Sequence, residues 1–308
     1  MNSMKLHRLR SFEEYEAAVV NVDLNVRLLG PADGPWQIGH ADIDGIVIQQ
    51  GIETVANLCE ASGSPAHLMF LISNGPPEPT WLNGVAFRPG LLGILAPGRG
   101  FVFRAIGPNR WMTIAIPLSS ALFRGDDETA AVLRSWTRST QMLQFEPILV
   151  EALHQAALVA AAPDTPPPAG RALMENAVAA LIRARSVRKP MRGRPGMSRH
   201  EMCDATLDIL RVANGSKPDL VEFDRLSFSA RSLRGFFQQC FGCGPTHYLH
   251  LRQLHAVYAA LKGEAMRKAP IAEIFDRESY PYSNYSLARY RAIFGESPSE
   301  TRMGSEAP

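Results

Sequence analysis

The chain has 308 residues, 46% of them apolar, with four cysteines and a formal net charge of +2. That length suits about two domains of ~100–200 residues each, and so few cysteines exclude a disulfide scaffold. The near-neutral total hides an asymmetry: residues 1–150 hold 11 Lys/Arg against 14 Asp/Glu, whereas residues 171–302 hold 21 against 13. The later segment is therefore the one suited to a polyanion.

Residues 1–16 mix basic, acidic and apolar positions and lack the apolar core of a signal peptide. The longest weakly polar stretch, Ala152–Ala162, is far short of the ~20 residues of a membrane span. A soluble cytoplasmic protein without a membrane partner is expected.

In chain order, residues 6–18 predict a short amphipathic helix. From Leu24 the pattern turns to short β-rich runs: Leu24–Leu29, Trp36–Gln49, Thr54–Cys59, His67–Ser73, Thr80–Phe87, Leu91–Leu95, Gly100–Ile106 and Arg110–Pro117. Turn-forming clusters break them at Asn74–Pro77, Asn83-Gly84 and Pro97–Gly100. Short strands at a spacing of about ten residues predict a small β-barrel or jelly-roll-like domain over residues 1–118. Neither βαβ alternation nor a phosphate-cradling glycine loop is present. After Ser119 the period becomes helical, with helices expected at Ser120–Phe123, Asp127–Ser139, Pro147–Ala162 and Arg171–Arg188. The prolines at 166–168 end the third of these.

Between Arg183 and Arg199 lie seven Lys/Arg and no acid, with Pro190, Gly193, Pro195 and Gly196 among them. This reads as a basic linker, either a solvated hinge or an arm that also touches phosphates.

Residues 201–302 read as all-helical and contain an internal repeat. Phe237-x3-Phe241-Gly242-x-x-Pro245 recurs 53 positions later as Tyr290-x3-Phe294-Gly295-x-x-Pro298. Aromatic residues at i, i+4 bury one helix face, the glycine suits a helix C-terminus where φ is positive, and the proline suits the first turn of the next helix. The first unit comprises helix Glu201–Ala213, the segment Leu220–Leu226, a turn at Ser227–Ser229 and helix Ala230–Phe241. Ser229 is the expected N-cap, and Leu233, Phe237 and Phe241 the expected core. The exposed face then carries Arg231, Ser232, Arg234 and Gln238, side chains suited to phosphates and base edges. A connecting helix, His247–Lys262, leads to Ile271–Glu278, a turn through Pro281, and helix Ser283–Phe294.

The run SARSLRGFFQQCFGCGPTHYLHLRQLHAVYAAL (229–261) closely resembles the first half of the DNA-binding domain of AraC/XylS-type transcriptional regulators, and RYRAIFGESPSETR (289–302) resembles its closing motif. The resemblance covers residues 200–302. It implies two helix-turn-helix units joined by a rigid helix, their recognition helices entering successive major-groove segments about 34 Å apart. Carried over by position, the first reading face is Ala230, Arg231, Arg234 and Gln238, with Ser232 beside them. The second is Tyr282, Ser283, Asn284 and Tyr285, with Arg289 and Arg291 near phosphates. The N-terminal layout also resembles that family, which implies a cupin-like sensor over residues 1–118 and a helical dimerisation region over residues 119–190. Implied partners are double-stranded promoter DNA, a second copy of the chain, a small-molecule effector, and RNA polymerase for an activator.

The chain departs from the family at four places, and the segment before Ser229 aligns only with a short gap. Ser279-Tyr280 stands where Gly-Phe is usual, Phe275 where a small Ala is usual, Ser286 where a core Phe is usual, and Gln253 where an Arg is usual. These put reading by the second unit in question, and a helical module kept for another purpose is the alternative.

Cys240-x-x-Cys243, followed by His247 and His250, could bind zinc or sense redox state. In the repeat, however, the two cysteines correspond to Ile293 and Glu296, so the motif functions without them. His40 and His67 do not form the His-x-His run of a metal-binding cupin, and neither metal nor other cofactor is expected. Trp36, Phe70, Trp81, Phe101, Phe103 and Trp111 are either core or the lining of an effector pocket, where Arg104 and Arg110 could pair an anionic effector. A β-barrel enzyme with a fused helical domain is the remaining rival. It lacks any catalytic constellation tied to a motif, and no enzymatic activity is expected.

Overall fold

The computed structural model describes residues 4–31, 34–73, 79–125, 127–184, 199–212, 223 and 229–304. Most of the basic linker, the turn at Asn74–Pro77, Asp126, and the segment between Val212 and Ser229 except Phe223 lie outside the described residues.

The first half forms two antiparallel sheets. One has seven strands in the order β1 (His7–Leu9), β3 (Trp36–Ile43), β4 (Ile46–Glu53), β11 (Asn109–Pro117), β6 (His67–Ser73), β9 (Leu91–Leu95) and β12 (Gln141–Gln144). The other has five: β2 (Val22–Leu28), β5 (Asn57–Gly63), β10 (Gly100–Ala105), β7 (Thr80–Leu82) and β8 (Val85–Ala86).

The expected barrel or cupin-like jelly roll is not formed. Both sheets are open: β1 and β12 end the larger one, β2 and β8 the smaller, and these edge strands do not pair with one another. The physical reason lies in what covers the faces. A small closed barrel would leave its outer surface in water, giving strict apolar–polar alternation. Here the central strands are buried on both sides, as in Leu68–Ile72 and Trp111–Ile116, because helices cover the outer face of each sheet.

On the larger sheet the covering helices are α2 (Glu128–Trp136), α3 (Pro147–Ala160) and α4 (Pro167–Arg183). Ile46, Ile48, Phe70, Ile114 and Ile116 meet Leu133, Trp136, Leu153 and Val178 there in one apolar cluster. Phe70 meets Trp136 edge to face at 6.1 Å. Residues of opposite parity, including Met69, Leu71 and Trp111, face the smaller sheet together with Cys59, Phe101 and Phe103.

Turn chemistry sets two hairpins. Asp44-Gly45, with φ of 52° and 90°, splits the run Trp36–Gln49 into β3 and β4, and Asn83-Gly84, at 48° and 75°, separates β7 from β8. Both central residues of such a two-residue loop need positive φ. Of residues 6–18, expected to be helical, only Phe12–Ala18 form a helix (α1), capped by Ser11, while His7–Leu9 are strand β1.

The later helices are α5 (Arg199–Val212), α6 (Ala230–Cys240), α7 (Pro245–Lys262), α8 (Ile271–Arg277), α9 (Asn284–Phe294) and α10 (Pro298–Gly304). They dock on the outer face of the five-stranded sheet. Asp204 on α5 accepts from the Gly100 N–H at 2.7 Å and lies 3.7 Å from Arg99. Glu60 on β5, 6% exposed, accepts from Tyr248 on α7 and pairs with Arg27 at 3.4 Å and Arg252 at 3.6 Å. Lys262 reaches Glu13 at 2.6 Å.

His255 sits in the same interface, 4% exposed, its Nε2 3.3 Å from the Leu28 carbonyl oxygen and its ring edge-on to Phe294. Burial, with Arg27 nearby, lowers its pKa to about 3. The unfolded chain therefore takes up this proton first, and the contribution of neutral His255 is lost as pH falls from ~6.5 toward that value. Between pH 7 and pH 5 the wild type should lose up to about 2 kcal/mol more stability than His255→Gln. Urea unfolding of both proteins at the two pH values measures this, and equal losses would refute it.

Candidate nucleic-acid interface

The two repeats fold as equivalent units. In the first, Ser229 caps α6, its hydroxyl accepting from the Ser232 N–H at 3.1 Å, and in the second Ser283 caps α9 through the Ser286 N–H at 3.2 Å. Neither helix has an acidic residue in its first turn, which leaves the positive end of the helix dipole free for an anion. Gly242 and Gly295 both have φ of 77°, the left-handed step expected after each helix. Pro245 and Pro298 then open α7 and α10.

Each unit is held by stacked aromatics. Phe237 and Phe241 lie 4.7 Å apart and meet Tyr248, whose ring is 4.3 Å from Phe241. Tyr290 and Phe294 lie 4.6 Å apart and meet Tyr258, 4.3 Å from Phe294. Tyr248 and Tyr258 belong to the same helix, so α7 carries both clusters.

On α6 the expected division of faces is present. Leu233, Phe236, Phe237 and Cys240 are buried, and Ala230, Arg231, Ser232, Arg234 and Gln238 are exposed. Gln238 donates to the Gly242 carbonyl oxygen at 3.1 Å. In the second unit Tyr282, Ser283, Asn284, Tyr285 and Arg291 are exposed and Arg289 is half-buried. Arg289 donates to His247 Nε2 at 2.7 Å, and Arg291 lies 3.5 Å from Glu300. Two of the cations expected near phosphates are thus held by neighbours in this conformation.

The departures in the second unit have structural answers. Ser279 has φ of 55°, the backbone state for which glycine carries no steric cost. Gln253 donates to its carbonyl oxygen at 2.7 Å. Phe275 is fully buried and packs on Tyr282 at 5.4 Å and Tyr290 at 6.3 Å, while Ser286 is buried as a small residue. Ser279→Gly should stabilise the chain by about 1 kcal/mol, and a lower denaturation midpoint in that variant would contradict the strain assigned to Ser279.

The aromatics expected to form one effector pocket are not together. Phe101 and Trp111 line a cavity of about 50 Å³ between the sheets, with Glu53 at its polar edge. Trp36 lies beside it in the inter-sheet core, 4.9 Å from Tyr15. Phe70 faces the helices on the far side of the larger sheet. Arg104 stacks on Trp81, 3.9 Å above the ring, on the outer face of the smaller sheet. A cavity of that size has room for a water or two rather than a metabolite.

Cys240 is buried and Cys243 half-buried, both with free thiols. Burial pushes the Cys240 thiol up to about 12 and raises Cys243 as well, which disfavours the reactive thiolate at neutral pH. Among the described residues no three His, Cys, Asp or Glu side chains gather as a metal site, and no described helix is long and apolar enough to cross a membrane.

No protein-family model matches the sequence, and no curated protein matches it. Solved structures do align with the fold. The AraC-like transcriptional activator CuxR matches over 83% of this chain and 96% of its own, with 17% identity and a TM-score of 0.42. ToxT from Vibrio cholerae O395, bound to (E)-4-(8-methylnaphthalen-1-yl)but-3-enoic acid, matches over 92% and 99% with 9% identity and a TM-score of 0.29. Wild-type ToxT from Vibrio cholerae strain SCE256, bound to an unsaturated fatty acid, matches over 92% and 96% with 9% identity and a TM-score of 0.29. Superpositions this loose transfer no role from those proteins to this chain.

Proposed function

We propose that this protein is a sequence-specific DNA-binding transcriptional regulator that reads promoter DNA through α6 and α9. The observation that carries this reading is the repeat itself: two helices whose aromatic, glycine and proline ends recur at a 53-residue offset, each capped by a serine (Ser229 and Ser283), free of acid in the first turn and locked to one connecting helix. Arg231, Ser232, Arg234 and Gln238 would meet bases and phosphates in the first groove segment, and Ser283, Asn284 and Tyr285 in the second. Residues 1–118 would sense an effector or dimerise, and residues 119–190 would contribute to the dimer. Ile148 and Val159, exposed on α3 and three turns apart, suit such a contact.

Genome-wide mapping of sites bound by the full chain tests this reading, with failure to enrich any shared sequence as the adverse result. Arg231→Ala should weaken binding to the enriched site by ~1–3 kcal/mol and relax preference at one base pair if Arg231 reads a base. Equal weakening on every duplex would make it a phosphate contact instead.

A further inference from the structure

A cleft of about 570 Å³ opens where the five-stranded sheet meets both helical units. Its polar lining is Arg104 from β10, Cys243 and His247 between the units, and Tyr285 and Arg289 from α9. Among the described residues lining it none is acidic, so two arginines share the cleft with no described carboxylate. Arg104 is held by the face of Trp81, and its buried Nε has no hydrogen-bond partner among the described residues. Arg289 donates to His247 Nε2, so that atom must carry a lone pair and the imidazole takes no proton there. Burial and Arg289 both lower the His247 pKa, and burial lowers that of Arg104. A Cβ built at Gly242 would lie 2.5 Å from Arg104 Nη1, and Arg289 is bonded to His247, so both guanidiniums sit against the same short segment, 242–247.

We propose that this cleft is an anion site: a small organic anion seats carboxylate or phosphate oxygens on Arg104 and Arg289 and lays its apolar body against Leu29, Ala288 and Ala292. The charge-assisted fork of arginine suits such oxygens, and the volume falls in the ~300–1,000 Å³ range of metabolite sites. One consequence rests on the proposed function. Arg289 belongs to the second DNA-reading helix, so an anion that holds it against the sheet competes with a duplex for the same side chain, and the coupling is reciprocal.

The test titrates the full chain with phenyl phosphate and benzoate at matched ionic strength, with benzamide as the uncharged counterpart. Both anions should raise the melting temperature with concentration, and benzamide should not. Arg104→Met should weaken phenyl phosphate binding at least tenfold. If that variant does not fold, Arg104→Lys keeps the charge without the fork and should still bind several-fold more weakly. Equal responses to the anions and benzamide, or undiminished binding by the arginine variants, overturns the site. Saturating phenyl phosphate should also weaken binding to the enriched duplex, and unchanged duplex affinity overturns the coupling. A chain that binds the anions but prefers no duplex leaves the cleft assignment standing and sinks the DNA-binding reading alone.

Discussion

Glu60→Ala is expected to cost about 3–5 kcal/mol of stability and to release the C-terminal helices from the smaller sheet. Glu60 faces three partners from both halves of the chain: Arg27 on β2, and Tyr248 and Arg252 on α7. Arg252 is 7% exposed, and its Nη1 has no hydrogen-bond partner among the described residues. Without Glu60 its charge stays buried and uncompensated, which is the expensive way to break such a pair. Glu60→Gln keeps an acceptor for Tyr248 and should lose less. Urea unfolding measures the loss, and hydrogen exchange along α7 shows whether docking is what failed. A loss under 1 kcal/mol with α7 still protected would show that the apolar contacts alone hold the halves together.

A second large effect, again about 3–5 kcal/mol, is expected for Glu53→Ala, here inside the sheet pair. Glu53 is 2% exposed and accepts from four donors: the Tyr15 hydroxyl at 2.7 Å, Asn57 at 2.6 Å, Asn109 at 2.7 Å and the Trp111 indole at 2.8 Å. Alanine strands the Tyr15 hydroxyl and Asn109, while the Trp111 indole keeps Tyr15 at 2.9 Å and Asn57 keeps the Val55 carbonyl oxygen at 3.2 Å; each unmet donor costs roughly 1–3 kcal/mol unless water reaches it. The cavity beside Glu53 could admit a water, which sets the lower end of the range. Denaturant unfolding followed by tryptophan emission, to which Trp111 contributes, measures it. A variant as stable as the wild type would mean that the network is dispensable.

The parts of this fold that were readable are those governed by near neighbours. The Ser229 cap, the glycines at φ of 77° and the prolines after them are local chemistry, and the repeat presented the glycine and the proline twice; Ser283, read as the first residue of its helix, is instead its cap. His67–Ser73 and Leu91–Leu95 have the boundaries expected from apolar runs between turn residues. Asp44-Gly45 is a two-residue hairpin signal inside the β-rich run Trp36–Gln49.

Sheet closure was not readable, because it depends on which distant segments cover a face. β12 joins the seven-stranded sheet from beyond α2, and four residues beginning and ending in glutamine carry little strand signal. The unbroken apolar stretches in β6 and β11 were the available hint of two covered faces. Side-chain direction followed the same limit. Trp36 and Phe70 read alike as strand aromatics, yet one faces the smaller sheet and the other Trp136. Glu53 and Glu60, one acid each in otherwise mostly apolar strands, gave no sign of opposite duties, one inside the sheet pair and one holding the helices.

The helix that carries both aromatic clusters behaves as a ruler. Each residue of an α-helix adds about 1.5 Å and about 100°, so one residue inserted between Tyr248 and Tyr258 would swing one unit more than a quarter turn about the other. Tyr248 is tied to Glu60 and His255 to Leu28, so an insertion between Tyr248 and His255 would also pull one of those anchors out of alignment. The angular phase between the two units is therefore built into a single unbroken segment, and any switching must move them as one piece.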